Sequence, residues 1–211
     1  SLNRHVMVYG ASGTGKSRGF VKPFLLQAIR RGESMVLTDP KGEFFESFAQ
    51  YARNAGYTVR AFNLLDAAHS DAWNVMESVW RDESMVQAVA ETIINNTSND
   101  AEKYNYWQNS ELNLLIAMIH YYRTLTDSGG NLRPIWERSL GEIRRTLAQV
   151  PLKELSAMFA QYGGSSPAKE SYDLFRRAGN NCENVITGLG TRLHVFQDRA
   201  IDKITSYNEI D

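Results

Sequence analysis

HVMVYGASGTGKS, residues 5–17, decides how the chain is read. HVMVY is a short, apolar, β-rich run that ends at Gly10. From Gly10 to Ser17 the sequence GASGTGKS fits the spacing G-x-x-x-x-G-K-[ST] at every fixed position. A strand before the loop and a helix after it are the context this spacing needs. Gly10, Gly13 and Gly15 let the backbone wrap closely and turn its N–H groups toward phosphate oxygens, with Ala11, Ser12 and Thr14 at the variable positions. The helix beginning near Ser17 adds its positive end. Lys16 is placed to reach the β- and γ-phosphates of a nucleotide, and the Ser17 hydroxyl to ligate magnesium. The competing reading is a glycine-rich turn that happens to end in Lys-Ser; the flanking elements favour a nucleotide site.

Outward from this loop, a helix is expected from Ser17 to about Arg31, with Gly32 ending it. SMVLT (34–38) reads as a second buried strand, residues 41–56 as a helix stopping near Gly56, and YTVRAF (57–62) as a third strand. The β-α-β-α-β order implies a parallel sheet covered by helices. Asp39 closes the second strand, and two readings of it stay open. It lies near the phosphates with Lys41 beside it, as an aspartate that holds magnesium through water. Alternatively it is the N-cap of the next helix, with Pro40 at the first helical position and Glu43 in the first turn.

From about residue 80 the pattern becomes helical. DESMVQAVAETIIN (82–95) reads as helix, and SELNLLIAMIHYYRTL (110–125) more strongly, with Leu112, Leu115, Ile116, Ile119 and Tyr122 along one face. TDSGGNLRP (126–134) is a loop. Leu140, Ile143 and Leu147 mark one helix, and Leu152, Leu155 and Phe159 mark another beginning near Pro151. GGSSP (163–167) breaks the pattern before a final long helix through Val185, Ile186, Leu189, Leu193 and Phe196. The expected fold is therefore α/β: a partial P-loop parallel-sheet lobe over residues 1–75, followed by an all-helical domain over 76–211.

With 43% hydrophobic and 22% charged residues, the chain has the composition of an ordinary globular protein, and no apolar run is long enough to span a bilayer. The single cysteine, Cys182, excludes an intrachain disulfide, and the four scattered histidines suggest no metal site. Residues 1–75 carry 9 Lys/Arg and 6 Asp/Glu, whereas 76–211 carry 14 and 18. The acidic second part is not built to grip a phosphate backbone unaided.

Three segments taken together go beyond a generic phosphate loop: GKSRGF, then DPKGE, then GYTVRAFNL closing on S-D-x-x-N at Ser70–Asn74. In that order they resemble the coupling-protein ATPases of conjugation and type IV secretion, the TraG/TraD-like group. YWQNSELNLLIAMIHY and the tail TRLHVFQDRAIDKITSYNEID are similar to that family's helical insertion and its exit. Val75 stands where the family usually has proline. The resemblance implies a RecA/FtsK-like motor interrupted by an all-α domain, binding ATP and Mg2+ at Gly10–Ser17. It also implies a homohexamer anchored at the cytoplasmic face of the bacterial inner membrane. Such a protein passes DNA and relaxosome or effector protein cargo to other secretion-system components. On this resemblance the membrane segment lies before Ser1 and the Asp-Glu strand after Asp211, so this piece is expected to bind ATP and hydrolyse it poorly. Two other readings remain. The helical part acts chiefly as a cargo-recognition module, with Trp80, Trp107 and Trp136 as contact candidates. Alternatively, the chain is a complete small-molecule phosphotransferase, with Arg144-Arg145 or Arg176-Arg177 as clamps.

Overall fold

The computed structural model describes residues 5–98 and 106–210, and of Tyr106 only its place in a helix. Residues 1–4, 99–105 and Asp211, the last letter of the family-like tail, lie outside the described residues. The chain packs as two compact units, Ser1–Arg60 and Ala61–Asp211.

The first unit holds two helices. A π-type turn, Ser17–Val21, runs directly into α1 (Lys22–Arg30), with Pro23 in its first turn. α2 spans Glu43–Asn54. Both helices end in the same way. Gly32 (φ 71°) and Gly56 (φ 89°) take the left-handed conformation that L-residues with a Cβ avoid. The next amide then folds back: Glu33 N–H donates to Ala28 O and Tyr57 N–H to Ala52 O, each at 3.1 Å. The Tyr57 hydroxyl donates to Ile29 O at 3.2 Å, pinning the segment after α2 to the end of α1. The core of this unit is thin, formed among the described residues by Leu25, Ala28, Ile29, Ala49 and Ala52.

The α/β expectation is overturned: the chain is all-α, and no strand or sheet exists among the described residues. The runs 5–9, 34–38 and 57–62 are non-helical but form no ladder. A strand is stable only when a neighbour satisfies its N–H and C=O groups and a layer covers its apolar face. Neither condition is met. Met7 is 73% exposed and Val36 100%, and Ala61 N–H is satisfied by the Asp71 carboxylate at 2.6 Å rather than by a strand. β-rich composition alone did not make a sheet.

The second unit contains α3 (Met76–Arg81), α4 (Met85–Asn96), α5 (Tyr106–Arg123), α6 (Leu140–Gln149), α7 (Leu152–Ala160), α8 (Pro167–Arg176), α9 (Cys182–Arg192) and α10 (Arg199–Ser206). α5 is the axis. Leu114, Leu115, Ala117, Met118 and Ile119 are all fully buried, so it is covered nearly all round rather than along the single face its periodicity suggests. α8 packs on it most extensively, followed by α4 and α9. Phe159 of α7 stacks on Tyr172 of α8 with ring centroids 4.2 Å apart. Tyr122 closes the α5–α6 contact through a hydrogen bond between its hydroxyl and Thr146 Oγ1 at 2.5 Å, and burial raises its phenol pKa to about 12.

Two helical expectations change here. α8 starts at the end of the 163–167 break and covers residues for which no element was expected. The long last helix expected through Phe196 is two pieces, α9 and a 3-10 turn over His194–Gln197, and α10 follows as a further helix. Asp198 starts α10 by accepting the amides of Ala200 (2.8 Å) and Ile201 (3.1 Å). Gly188 permits a close approach, because a Cβ there would stand 2.1 Å from Glu111 Oε1.

Residues 61–75 are bonded to the end of this unit. Trp73 N–H donates to Ile204 O and Glu209 N–H to Ala72 O, both at 2.8 Å. Asn74, buried to 1% exposure, accepts Met76 N–H at 3.0 Å and donates to Ser206 O at 3.3 Å. Val75 has φ −58°, a value a proline also holds, so its departure from the family pattern leaves the backbone unchanged here.

Candidate functional site

The residues singled out around the glycine-rich loop lie in the first unit. Gly10–Gly15 are exposed, and Lys16 and Ser17 are half-buried. Gly13 (φ 83°) and Gly15 (φ 80°) both sit in the left-handed region, so the loop needs glycine at these two places. Gly10 is fixed by space instead: a Cβ there would meet Thr14 Oγ1 at 2.6 Å. Thr14 braces the turn by donating its hydroxyl to Ala11 O at 2.9 Å. Among the described residues, the amides of Ser12, Gly13 and Gly15 meet no backbone carbonyl.

Lys16 turns back into the loop. Its Nζ donates to Gly10 O at 2.5 Å and to Ala11 O at 2.7 Å. The ammonium thus sits in the concavity of the loop, held by neutral carbonyls only. An incoming phosphate offers it an anionic acceptor, which adds ion–ion attraction that a neutral carbonyl lacks. The helix after the loop begins with π-type bonding, Lys22 N–H to Ser17 O, a geometry that recurs at functional sites.

Asp39 and Lys41 are placed differently. Asp39 Oδ2 accepts the amides of Phe44 and Phe45, each at 2.9 Å, and so starts α2. Asp39 thus holds the start of α2 from outside it: the helix begins at Glu43 and not at Pro40, with Gly42 rather than Asp39 at the cap position. The turn between is made by Gly42 (φ 72°), whose N–H bonds Asp39 O at 3.1 Å. Lys41 is exposed on that turn and, among the described residues, its side chain makes no hydrogen bond.

The residue that does reach the loop is Glu43. The Ser17 hydroxyl donates to Glu43 Oε1 at 3.1 Å. Lys22 stands beside the pair, with Nζ 4.0 Å from Glu43 Oε2 and 3.0 Å from Ser47 Oγ. Glu43 was legible as an acid in a first helical turn, but nothing in the linear sequence joins it to Ser17. A hydroxyl and a carboxylate are hard oxygen donors, the type that suits magnesium, and an ammonium with open amides suits phosphate. The donor set of the loop therefore fits a magnesium–nucleotide ligand.

The second unit offers two shallow clefts. One of about 110 Å³ is lined by Trp73, Glu77, Ser78, Arg81, Asn208 and Ile210. The other, about 210 Å³, lies where His120 and Arg123 of α5 meet Glu83, Tyr162 and the start of α8. Arg123 Nη1 pairs with Glu83 Oε2 at 2.9 Å, and burial holds the His120 imidazole below the usual histidine range. Of the paired arginines, Arg145 is tied to Glu142 and Asp202, both at 2.7 Å, as a bracket between α6 and α10. Trp107 and Trp136 are 42% and 46% exposed, whereas Trp80 packs beneath the Arg138 guanidinium at 4.0 Å. Among the described residues no group of His, Cys, Asp and Glu is placed to hold a metal ion unaided.

The loop is thus open and shaped by glycine, with the Lys16 ammonium inside it and the Ser17 and Glu43 oxygens beside it. The sequence matches the family described as type IV secretory system conjugative DNA transfer over residues 2–211, and the chain belongs to that family. No curated protein and no solved structure matches it. Its role is in DNA transfer by type IV secretion, and family membership brings with it interaction with DNA and with secretion-system components. Among the described residues no helix is long and apolar enough to cross a membrane.

Proposed function

We propose that the chain is the ATP-binding part of a coupling protein that recruits DNA–protein substrates and drives their transfer into a type IV secretion channel. One observation carries this reading. The loop Gly10–Ser17 holds two glycines at positive φ, leaves amides open and keeps Lys16 on two carbonyls that phosphate oxygens can replace. When bound, magnesium would supply charge neutralisation between the phosphates and the protein. Ser17 is the residue that would ligate it. Relaxosome or effector proteins as cargo, a homohexameric ring and a place at the cytoplasmic face of the inner membrane belong to the same reading.

Titration calorimetry with ATP and magnesium tests it. Lys16→Ala removes a charge-assisted contact and is expected to weaken ATP binding about tenfold or more. Equal affinity in both proteins would refute the assignment.

A second reading concerns the helical unit. Trp136 is half-exposed and lies against Tyr207 with ring centroids 5.8 Å apart, forming an aromatic surface pair. Such pairs supply contact area at low entropic cost. On this reading the helical unit docks protein cargo while the glycine-rich loop powers the transfer, so the two readings belong to one machine.

A further inference from the structure

The Ser17–Glu43 contact has a chemical consequence. A hydroxyl has one proton and two acceptor lone pairs. By donating its proton to Glu43 Oε1 at 3.1 Å, Ser17 leaves both lone pairs free for a cation. Without that acceptor the proton is free to point at the cation and oppose binding. Glu43 is held for this work from two sides. Asp39 fixes the first turn of α2 by taking the amides of Phe44 and Phe45, and Lys22 stands 4.0 Å from the other carboxylate oxygen. The Glu43 side chain is 40% exposed, so water and a hydrated ion reach it.

We infer that Glu43 is a positioning residue for magnesium: its carboxylate orients Ser17 Oγ and receives water ligands of the ion, the part that Asp39 was a candidate to play. The inference rests on the nucleotide-binding reading of Gly10–Ser17. It assigns the DPKGE segment a divided task, in which Asp39 builds the helix start and Glu43 uses it.

The test measures ATP affinity by calorimetry with and without magnesium, in the wild type, Glu43→Gln and Glu43→Ala. Glutamine keeps an oxygen that accepts the Ser17 proton but removes the negative charge, so the fold of the α2 start is preserved. The expected result is a loss of about tenfold in the affinity gained from magnesium, with magnesium-free affinity within about twofold of wild type. Alanine is expected to lose at least as much. A full magnesium gain in both variants overturns the inference. So does an equal loss with and without magnesium, which would mean that Glu43 only shapes the loop. If the wild type binds no ATP at all, the nucleotide reading fails first and takes this one with it.

Discussion

Asp39 shows how one residue type at one position supports two chemistries until its neighbours are known. An aspartate after an apolar run suits a magnesium site, and an aspartate before Pro-Lys-Gly-Glu suits a helix start. In the structure Gly42 at φ 72° turns the chain so that the amides of Phe44 and Phe45 meet the carboxylate, which gives Asp39 its part in the helix start. Asp39→Ala orphans both amides and is expected to destabilise the chain by about 1 kcal/mol in denaturant unfolding, with Asp39→Asn close to wild type. The loop residues were legible for the opposite reason. Gly10, Gly13, Gly15, Lys16 and Ser17 are candidates because of their fixed local spacing, which the sequence alone displays. Glu43 acts across 26 residues of chain, and no local rule reports that distance.

At the scale of elements, helix ends were more legible than strands. Gly32 and Gly56 stop α1 and α2 through backbone conformation, which is local chemistry and independent of what packs nearby. Strands require a neighbouring strand, and 5–9, 34–38 and 57–62 form no ladder among the described residues. α8 was hidden behind GGSSP although Ala168, Tyr172 and Phe175 recur at helical spacing and are all buried. In α9 the two glycines carried different information that only packing separates. Gly188 faces Glu111 Oε1, and Arg192 Nε holds the same carboxylate through Oε2 at 2.6 Å, which limits its retreat. Gly190 has nothing within 4 Å of an added Cβ. Gly188→Ala is expected to cost about 1–3 kcal/mol by overpacking, whereas Gly190→Ala should stabilise by about 0.5–1 kcal/mol through the lost flexibility of glycine. Urea unfolding of the two single variants checks both signs.

At the scale of the whole molecule, the two units differ in what holds them. Ala61–Asp211 has one continuous apolar core from Met76 to Leu193, and its outer segments are bonded together through Trp73–Ile204 and Ala72–Glu209. Ser1–Arg60 has a small core and exposes Met7, Tyr9 and Val36, yet it carries every residue of the nucleotide-site proposal. Family membership was legible because the segments GKSRGF, DPKGE and FNL stand in this order along the chain. The fold around them was not, because burial of a β-rich run depends on what lies beside it in space. The account therefore stands on where a nucleotide binds, and amide NMR shifts on adding ATP with magnesium give the most direct answer. The expected result is large shifts confined to Gly10–Ser17 and to the start of α2 at Gly42–Phe45, absent in Lys16→Ala. Shifts centred on the helical unit, or none anywhere at saturating ATP, would contradict it.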